Sequence, residues 1–133
     1  MTDYFKYSLE QSTIRNISNL GLAHMGDAVY ELMVRAWACA SGAERVQDLH
    51  HLVVSKVAAP AQAKAAQKIL PLLTQEEAAV FRRGRNANPH TIPKAASREE
   101  YQTATAVEAL FGYLWLKGET ERLNELFQQM MEE

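Results

Sequence analysis

The chain has 133 residues, of which 47% are hydrophobic, and its formal net charge is −2. This length favours one compact domain over residues 1–133, and the single cysteine excludes an intramolecular disulfide and a cysteine-rich zinc site. No apolar run approaches the roughly 20 residues that span a bilayer, and no basic-then-apolar leader opens the chain, so we expect a cytoplasmic protein without a membrane anchor.

The first half of the chain is predicted to be helical, because alanine is abundant and no stretch alternates like a strand. We expect a short helix over residues 12–20 and a longer one over residues 21–40, which Ser41 and Gly42 end. A third helix starts near Arg45, and Pro60 is expected to break or kink it.

The second half is predicted to hold four further helices. The first covers residues 61–70, and the next starts at the capping box that Thr74 opens and ends near Arg83. Residues 84–96 are expected to form a loop rich in Asn, Gly and Pro. A second capping box at Ser97 begins a long helix to about residue 117, where Gly118 stops it, and an amphipathic helix follows. The predicted fold class is all-α.

Positive charge is concentrated in the middle of the chain. Between residues 49 and 98, eight basic residues face only two acidic ones, giving +6, so the remainder carries −8. The eight are Lys56, Lys64, Lys68, Arg82, Arg83, Arg85, Lys94 and Arg98. This distribution indicates a surface that faces a polyanion, although charge alone equally allows a solvated face with chance clustering.

Two acidic residues interrupt apolar helical stripes. Asp27 shares a predicted face with Leu20, Ala23, Tyr30 and Val34, and Glu108 shares one with Tyr101, Ala104, Phe111 and Trp115. A carboxylate on a core-facing stripe is costly unless it is paired or bound to a metal. Two such residues on packed helices could share one cation, and Mg2+ suits a site with few protein carboxylates. Pairing with arginine, or a position at the stripe edge, remains an alternative.

Two short motifs carry a family resemblance. Residues 22–31, LAHMGDAVYE, resemble the LGDAVL signature of the ribonuclease III catalytic domain, and residues 108–114, EALFGYL, resemble its second motif, EALIGA. Residues 83–87, RGRNA, followed by Pro93 and Lys94, resemble the loop of the subfamily named Mini-ribonuclease III. That short bacterial subfamily lacks a double-stranded-RNA-binding domain.

The resemblance implies roles for individual residues. Asp27 takes the place of the catalytic aspartate, and Glu108 takes that of the glutamate that holds the metal, implying Mg2+ as the cofactor. Ordinary family members carry two upstream glutamates where this chain has Leu20 and Ala23, and an aspartate where it has Thr105. Since Mini-ribonuclease III shares these departures, we interpret them as a subfamily character.

The resemblance also implies an architecture and an activity. We expect a ribonuclease III-like helical bundle that forms a twofold homodimer and cleaves double-stranded RNA to give 5′-phosphate products. The implied substrate is the 23S ribosomal RNA precursor, matured at its 5′ and 3′ ends, and a large-subunit ribosomal protein is a possible partner. Two alternatives are a catalytically inactive RNA-binding or ribosome-assembly scaffold and a helical protein-interaction dimer without an RNA role.

Candidate RNA-binding residues lie between the two motifs: Arg82, Arg83, Arg85, Asn86 and Lys94, with Lys56 and Asn88 as further candidates. Duplex RNA is recognised mainly through phosphates and 2′-hydroxyls, which suits cationic and amide side chains. The alternative for Arg82 and Arg83 is that they offset the dipole of a helix C-terminus. This alternative is weaker for Arg85 and Lys94, which are predicted to lie in the loop.

Cutting both strands requires two symmetry-related sites, so an apolar dimer face is expected. Trp37, Phe111 and Trp115 are candidates for that face, with core packing as the alternative.

Overall fold

The computed structural model describes residues 1–87 and 97–132. Within these ranges the chain forms seven α-helices, one 3-10 turn and no strand, which confirms the predicted all-α class. The helices are α1 (Gln11–Arg15), α2 (Asn19–Ala40), α3 (Val46–Val57), α4 (Ala59–Ile69), α5 (Gln75–Arg85), α6 (Arg98–Leu116) and α7 (Thr120–Met131), with the 3-10 turn at Leu70–Leu72.

Helix α6 lies at the centre, and α2, α4, α5 and α7 all pack against it. Its residues Val107, Leu110 and Phe111 are fully buried, as are Val34 of α2 and Leu126 of α7. Among the described residues, no helix combines the length and the apolar character that crossing a membrane requires.

The predicted helix ends follow from local chemistry. Both capping boxes form: the Thr74 side chain accepts from the Glu77 amide, and the Ser97 side chain accepts from the Glu100 amide. Gly118 adopts φ +84° directly after α6, in the left-handed region that glycine tolerates and other residues rarely enter.

Three predicted boundaries were wrong. Helix α2 starts at Asn19, because the Ser18 side chain caps it by accepting from the Gly21 amide. The predicted break between the third and fourth helices occurs at Ala58, so α4 starts at Ala59 and Pro60 lies in its first turn, where the missing amide hydrogen costs little. Helix α5 continues through Gly84 to Arg85, so these two residues do not belong to the predicted loop.

Glycines set the close crossing of α2 and α6. A Cβ atom on Gly26 would lie 1.5 Å from the Glu108 carbonyl oxygen, and one on Gly112 would lie 2.1 Å from the Leu22 carbonyl oxygen. The two backbones therefore touch where any larger residue would force them apart. This contact fixes the neighbours of both glycines, including Asp27 and Glu108, on facing helices.

Candidate metal and nucleic-acid site

Asp27 and Glu108 come together where α2 crosses α6. Asp27 follows Gly26, the residue that touches the Glu108 backbone. The two carboxyl groups are close enough that Asp27 raises the pKa of Glu108 both through its charge and through a side-chain hydrogen bond. Asp27 is exposed and Glu108 is half-buried, so the pair spans the boundary between solvent and core.

Glu108 is held in a setting that disfavours its charged form. Burial is the main cause that raises its pKa to about 8, and the nearby Asp27 carboxylate is the second. A hydrogen bond from Gln62 acts in the opposite direction and favours the ionised carboxylate. A cation beside the pair would relieve the repulsion and favour ionisation of Glu108.

Neither carboxylate is neutralised by a basic side chain among the described residues. Arg35 lines the same open groove on α2 as Asp27, but it pairs with Glu31 at 2.7 Å. The arginine-pairing alternative from the sequence therefore does not describe this pair in the part of the chain that the structure covers.

Gln62 of α4 is a third member of the site. It is 2% exposed, and its Nε2 donates to the Val57 carbonyl at 2.8 Å and to Glu108 Oε2 at 3.4 Å. Its Oε1 is buried and has no hydrogen-bond partner within the described residues. Sequence reasoning missed it, although a signal exists: Gln62 lies on the same buried stripe of α4 as Ala66 and Ile69.

Tyr30 and Thr105 border the pair without supplying free ligands. The Tyr30 hydroxyl donates to the Lys56 carbonyl at 3.5 Å, and burial, with a contribution from Glu108, raises the pKa of Tyr30 to about 12. Tyr30 therefore stays protonated. The Thr105 hydroxyl, at the position where ordinary family members carry an aspartate, donates to the Tyr101 carbonyl at 2.9 Å.

The donor set is small and composed of oxygen. No group of three or more His, Cys, Asp or Glu side chains suited to holding a metal occurs in residues 1–87 and 97–132. Two carboxylates nevertheless fit a hard divalent cation that keeps most of its water shell, as Mg2+ does. The same set does not fit a structural zinc site, which needs four nitrogen or sulfur ligands.

The candidate RNA-binding residues lie at the end of α5. Arg82, Arg83 and Asn86 are exposed, whereas Arg85 is partly buried in the last helical turn. The prediction that Arg85 belongs to the loop was therefore wrong. Helix α5 extends to Arg85 because Gly84 packs closely against Ala106 and Ala109 of α6.

Two consequences follow for these basic residues. Arg85 makes a loose ion pair of 3.9 Å with the exposed Glu99, and it now shares with Arg82 and Arg83 the alternative role of offsetting the helix dipole. Lys94 and Asn88 lie outside the described residues.

The aromatic candidates for a dimer face have different environments. Phe111 is fully buried in the core, so for this residue the alternative of core packing holds. Trp37 lies under the Lys56 ammonium, 5.4 Å from the ring centre, and Trp115 packs edge-on against Phe5 at 5.6 Å. Both tryptophans are only partly buried.

Comparison with known proteins assigns this arrangement to a family. The ribonuclease III domain model matches residues 20–119, a range that includes both carboxylates. The chain belongs to the ribonuclease III family. A crystal structure of a Fusobacterium nucleatum protein superposes with a TM-score of 0.82 at 32% identity, covering 89% of this chain and 96% of that one.

Two relatives that cover most of the chain share one name. A Mini-ribonuclease 3 from Symbiobacterium thermophilum is 48% identical over 109 residues, covering 82% of this chain and 84% of the relative. A Mini-ribonuclease 3 from a Thermoanaerobacter species is 43% identical over 128 residues, covering 94% and 90%. These matches confirm the resemblance that the two motifs indicated.

Proposed function

We propose that the chain is a metal-dependent endoribonuclease that cleaves double-stranded RNA. The observation that carries this proposal is the convergence of Asp27 and Glu108 at the crossing of α2 and α6. No basic side chain of the described residues pairs with either of them. Membership of the ribonuclease III family supplies the reaction class, hydrolysis of a phosphodiester.

Asp27 and Glu108 would hold the cation, for which we propose Mg2+. When bound, such a cation supplies Lewis-acid stabilisation of the negative charge that develops on the reacting phosphate. Asp27, being exposed, faces the solvent side from which RNA would approach, whereas Glu108 is half-buried and accepts a hydrogen bond from Gln62. Tyr30 keeps its proton, because burial and the nearby Glu108 raise its pKa to about 12.

Duplex RNA would contact the C-terminal end of α5 through Arg82, Arg83, Arg85 and Asn86. Three cations within one helical turn attract phosphates without reading sequence. We also propose Lys94 for this surface, because it is a basic residue of the segment that follows α5 in the sequence.

Several finer statements belong to the same proposal. The products carry 5′-phosphates, the natural substrate is the 23S ribosomal RNA precursor, and a large-subunit ribosomal protein assists the reaction. A homodimer brings a second site to the other strand. Exposed apolar side chains on α2 and α3 could contribute to its interface: Leu20, Leu32, Val46 and Val54 are 38–78% exposed.

A cleavage assay tests the proposal. Labelled duplex RNA is incubated with wild-type protein in Mg2+ or EDTA, and with Asp27→Asn in Mg2+. We expect cleavage only by the wild type with Mg2+, with a loss of at least about 100-fold in Asp27→Asn, because the substitution removes a charged ligand. Asp48→Asn is the matched control, since Asp48 is an exposed helical aspartate loosely paired with Arg45 at 3.6 Å.

RNA binding measured in EDTA separates the alternatives. Asp27→Asn should keep the duplex affinity of the wild type, since it alters no positive charge. Binding by the wild type without cleavage in any divalent cation would favour the inactive scaffold. Absence of both cleavage and duplex binding would favour a protein-interaction dimer and overturn the proposal.

A further inference from the structure

Within the described residues, the side-chain amide of Gln62 makes hydrogen bonds through its nitrogen but not through its oxygen. Its Nε2 donates to two acceptors, the Val57 carbonyl and Glu108 Oε2, while its Oε1 is buried without a partner among the described residues. A buried acceptor left unsatisfied costs about 1–3 kcal/mol. An amide oxygen in this state next to a pair of carboxylates therefore needs an explanation.

An exchange of the amide nitrogen and oxygen does not remove the problem. In the exchanged orientation, Oε1 would face the Val57 carbonyl oxygen, which can only accept a hydrogen bond. The contact of 2.8 Å would become repulsive, and Nε2 would replace Oε1 as the unpartnered atom. The Val57 carbonyl thus determines the orientation, and the free atom is the oxygen.

This oxygen belongs to the immediate surroundings of Glu108, because it is on the amide that donates to Glu108 Oε2 at 3.4 Å. A hydrated divalent cation presents water hydrogens to any acceptor around it, and acceptors that touch this water orient the ligands and the bound water. Among the described residues, no third His, Cys, Asp or Glu side chain joins Asp27 and Glu108 in a metal-binding group. The amide oxygen of Gln62 is therefore a neutral acceptor beside a site with only two carboxylates.

We propose that Gln62 is a positioning residue of the cation site. Its Nε2 fixes the Glu108 carboxylate in place, and its Oε1 accepts a hydrogen bond from the water shell of the cation that Asp27 and Glu108 hold. This inference rests on the proposed function, since it requires that the carboxylate pair binds a divalent cation.

A purely structural role makes different predictions. Val57 is the last residue of α3, so Gln62 also satisfies a carbonyl at a helix end, which stabilises the fold whether or not a cation binds. If this were its only role, substitutions would lower the free energy of unfolding and leave cation affinity unchanged. Cation affinity, measured without RNA or turnover, therefore separates the two roles.

The test measures Mn2+ affinity of the RNA-free protein by electron paramagnetic resonance. Gln62→Leu removes both polar ends, and we expect Mn2+ binding to weaken by about 10-fold or more, the usual effect of losing a residue that holds a metal ligand in place. Gln11→Leu is the matched control, because Gln11 lies on α1 and donates to the Tyr113 hydroxyl at 3.3 Å. This variant should keep the Mn2+ affinity of the wild type. Asp27→Asn reports on the site itself and should lose most Mn2+ binding.

Gln62→Glu keeps the test decisive if Gln62→Leu does not fold. The added carboxylate lacks the donor to Val57 and repels Glu108, so the metal-free variant should have a lower Tm than the wild type. Because it offers the cation a third charged oxygen, we expect Mn2+ to raise its Tm by more than it raises that of the wild type. A smaller rise would overturn the inference.

The outcomes distinguish this inference from the proposed function. If Asp27→Asn loses Mn2+ binding while Gln62→Leu stays within twofold of the wild type, the positioning role is refuted and the carboxylate site stands. If Asp27→Asn binds Mn2+ like the wild type, the carboxylate site and the inference built on it both fail.

Discussion

Replacing Glu108 by glutamine should stabilise the metal-free protein and abolish its cleavage of RNA. Glutamine has the same shape and still offers an oxygen to Gln62 Nε2, but it carries no charge next to Asp27. The pKa of Glu108 is raised to about 8 in the folded chain, above its ordinary value of 4.5. The stability that this carboxyl contributes is therefore complete below pH 4.5 and is lost as the pH rises through about 8.

The magnitude follows from the same quantities. One pKa unit corresponds to about 1.4 kcal/mol, so the rise from 4.5 to about 8 sets a ceiling of about 5 kcal/mol on the penalty at alkaline pH. Water reaches the exposed Asp27 and the outer edge of Glu108, which reduces the effect, and we expect a difference of about 1–3 kcal/mol.

Urea denaturation in EDTA at pH 5, 6.5 and 8 measures this difference. The free energy of unfolding of Glu108→Gln should exceed that of the wild type at pH 8, and the gap should shrink towards pH 5. Glu99→Gln, at an 82% exposed position on the same helix, is the control and should show a small gap that varies little with pH. With Mg2+ added, the wild type and Glu99→Gln should gain stability, whereas Glu108→Gln should not. A gap for Glu108→Gln that is the same at all three pH values would refute this reasoning.

Three further predictions concern packing, a buried ion pair and RNA binding. Gly26→Ala should lower the free energy of unfolding by more than about 3 kcal/mol in urea denaturation, because the new Cβ would lie 1.5 Å from the Glu108 carbonyl oxygen; a loss below 1 kcal/mol would contradict the crossing geometry. Glu77→Gln should lower the free energy of unfolding by about 2 kcal/mol at pH 7, and this difference from the wild type should close as the pH falls. Hydrogen bonds from Arg122 lower the pKa of Glu77 in the folded chain. The stabilisation is therefore present above the ordinary pKa of glutamate and is lost as the pH falls through the lowered pKa. A pH-independent gap would argue against this pair. Arg85→Ala should weaken duplex binding in a filter assay with little sequence dependence and lower the salt slope by about one; an unchanged affinity and slope would remove Arg85 from the RNA surface.

Features that depend on nearby residues were predictable from the sequence. The capping boxes at Thr74 and Ser97 involve residues three apart, and Gly118 ends α6 by a property of its own backbone. Asp27 and Glu108 could be selected because each interrupts an apolar stripe, a pattern visible within one helix. The sequence alone left open whether the two stripes face each other.

Features that depend on distant contacts were not predictable. Gly84 and Arg85 were assigned to a loop because residues 84–96 are rich in Asn, Gly and Pro, whereas packing of Gly84 on Ala109 extends the helix. Gln62 escaped notice because its partner Glu108 is 46 residues away along the chain. The burial of Phe111 likewise results from tertiary packing around α6, which helical spacing alone does not reveal.

The most direct test of the central claim is anomalous diffraction from crystals of the wild-type protein soaked in Mn2+. We predict an anomalous peak for each chain within about 2–2.3 Å of carboxylate oxygens of both Asp27 and Glu108, a distance typical of small divalent cations and their oxygen ligands. Density for Mn2+ elsewhere on the chain, with none between these two side chains, would contradict the account.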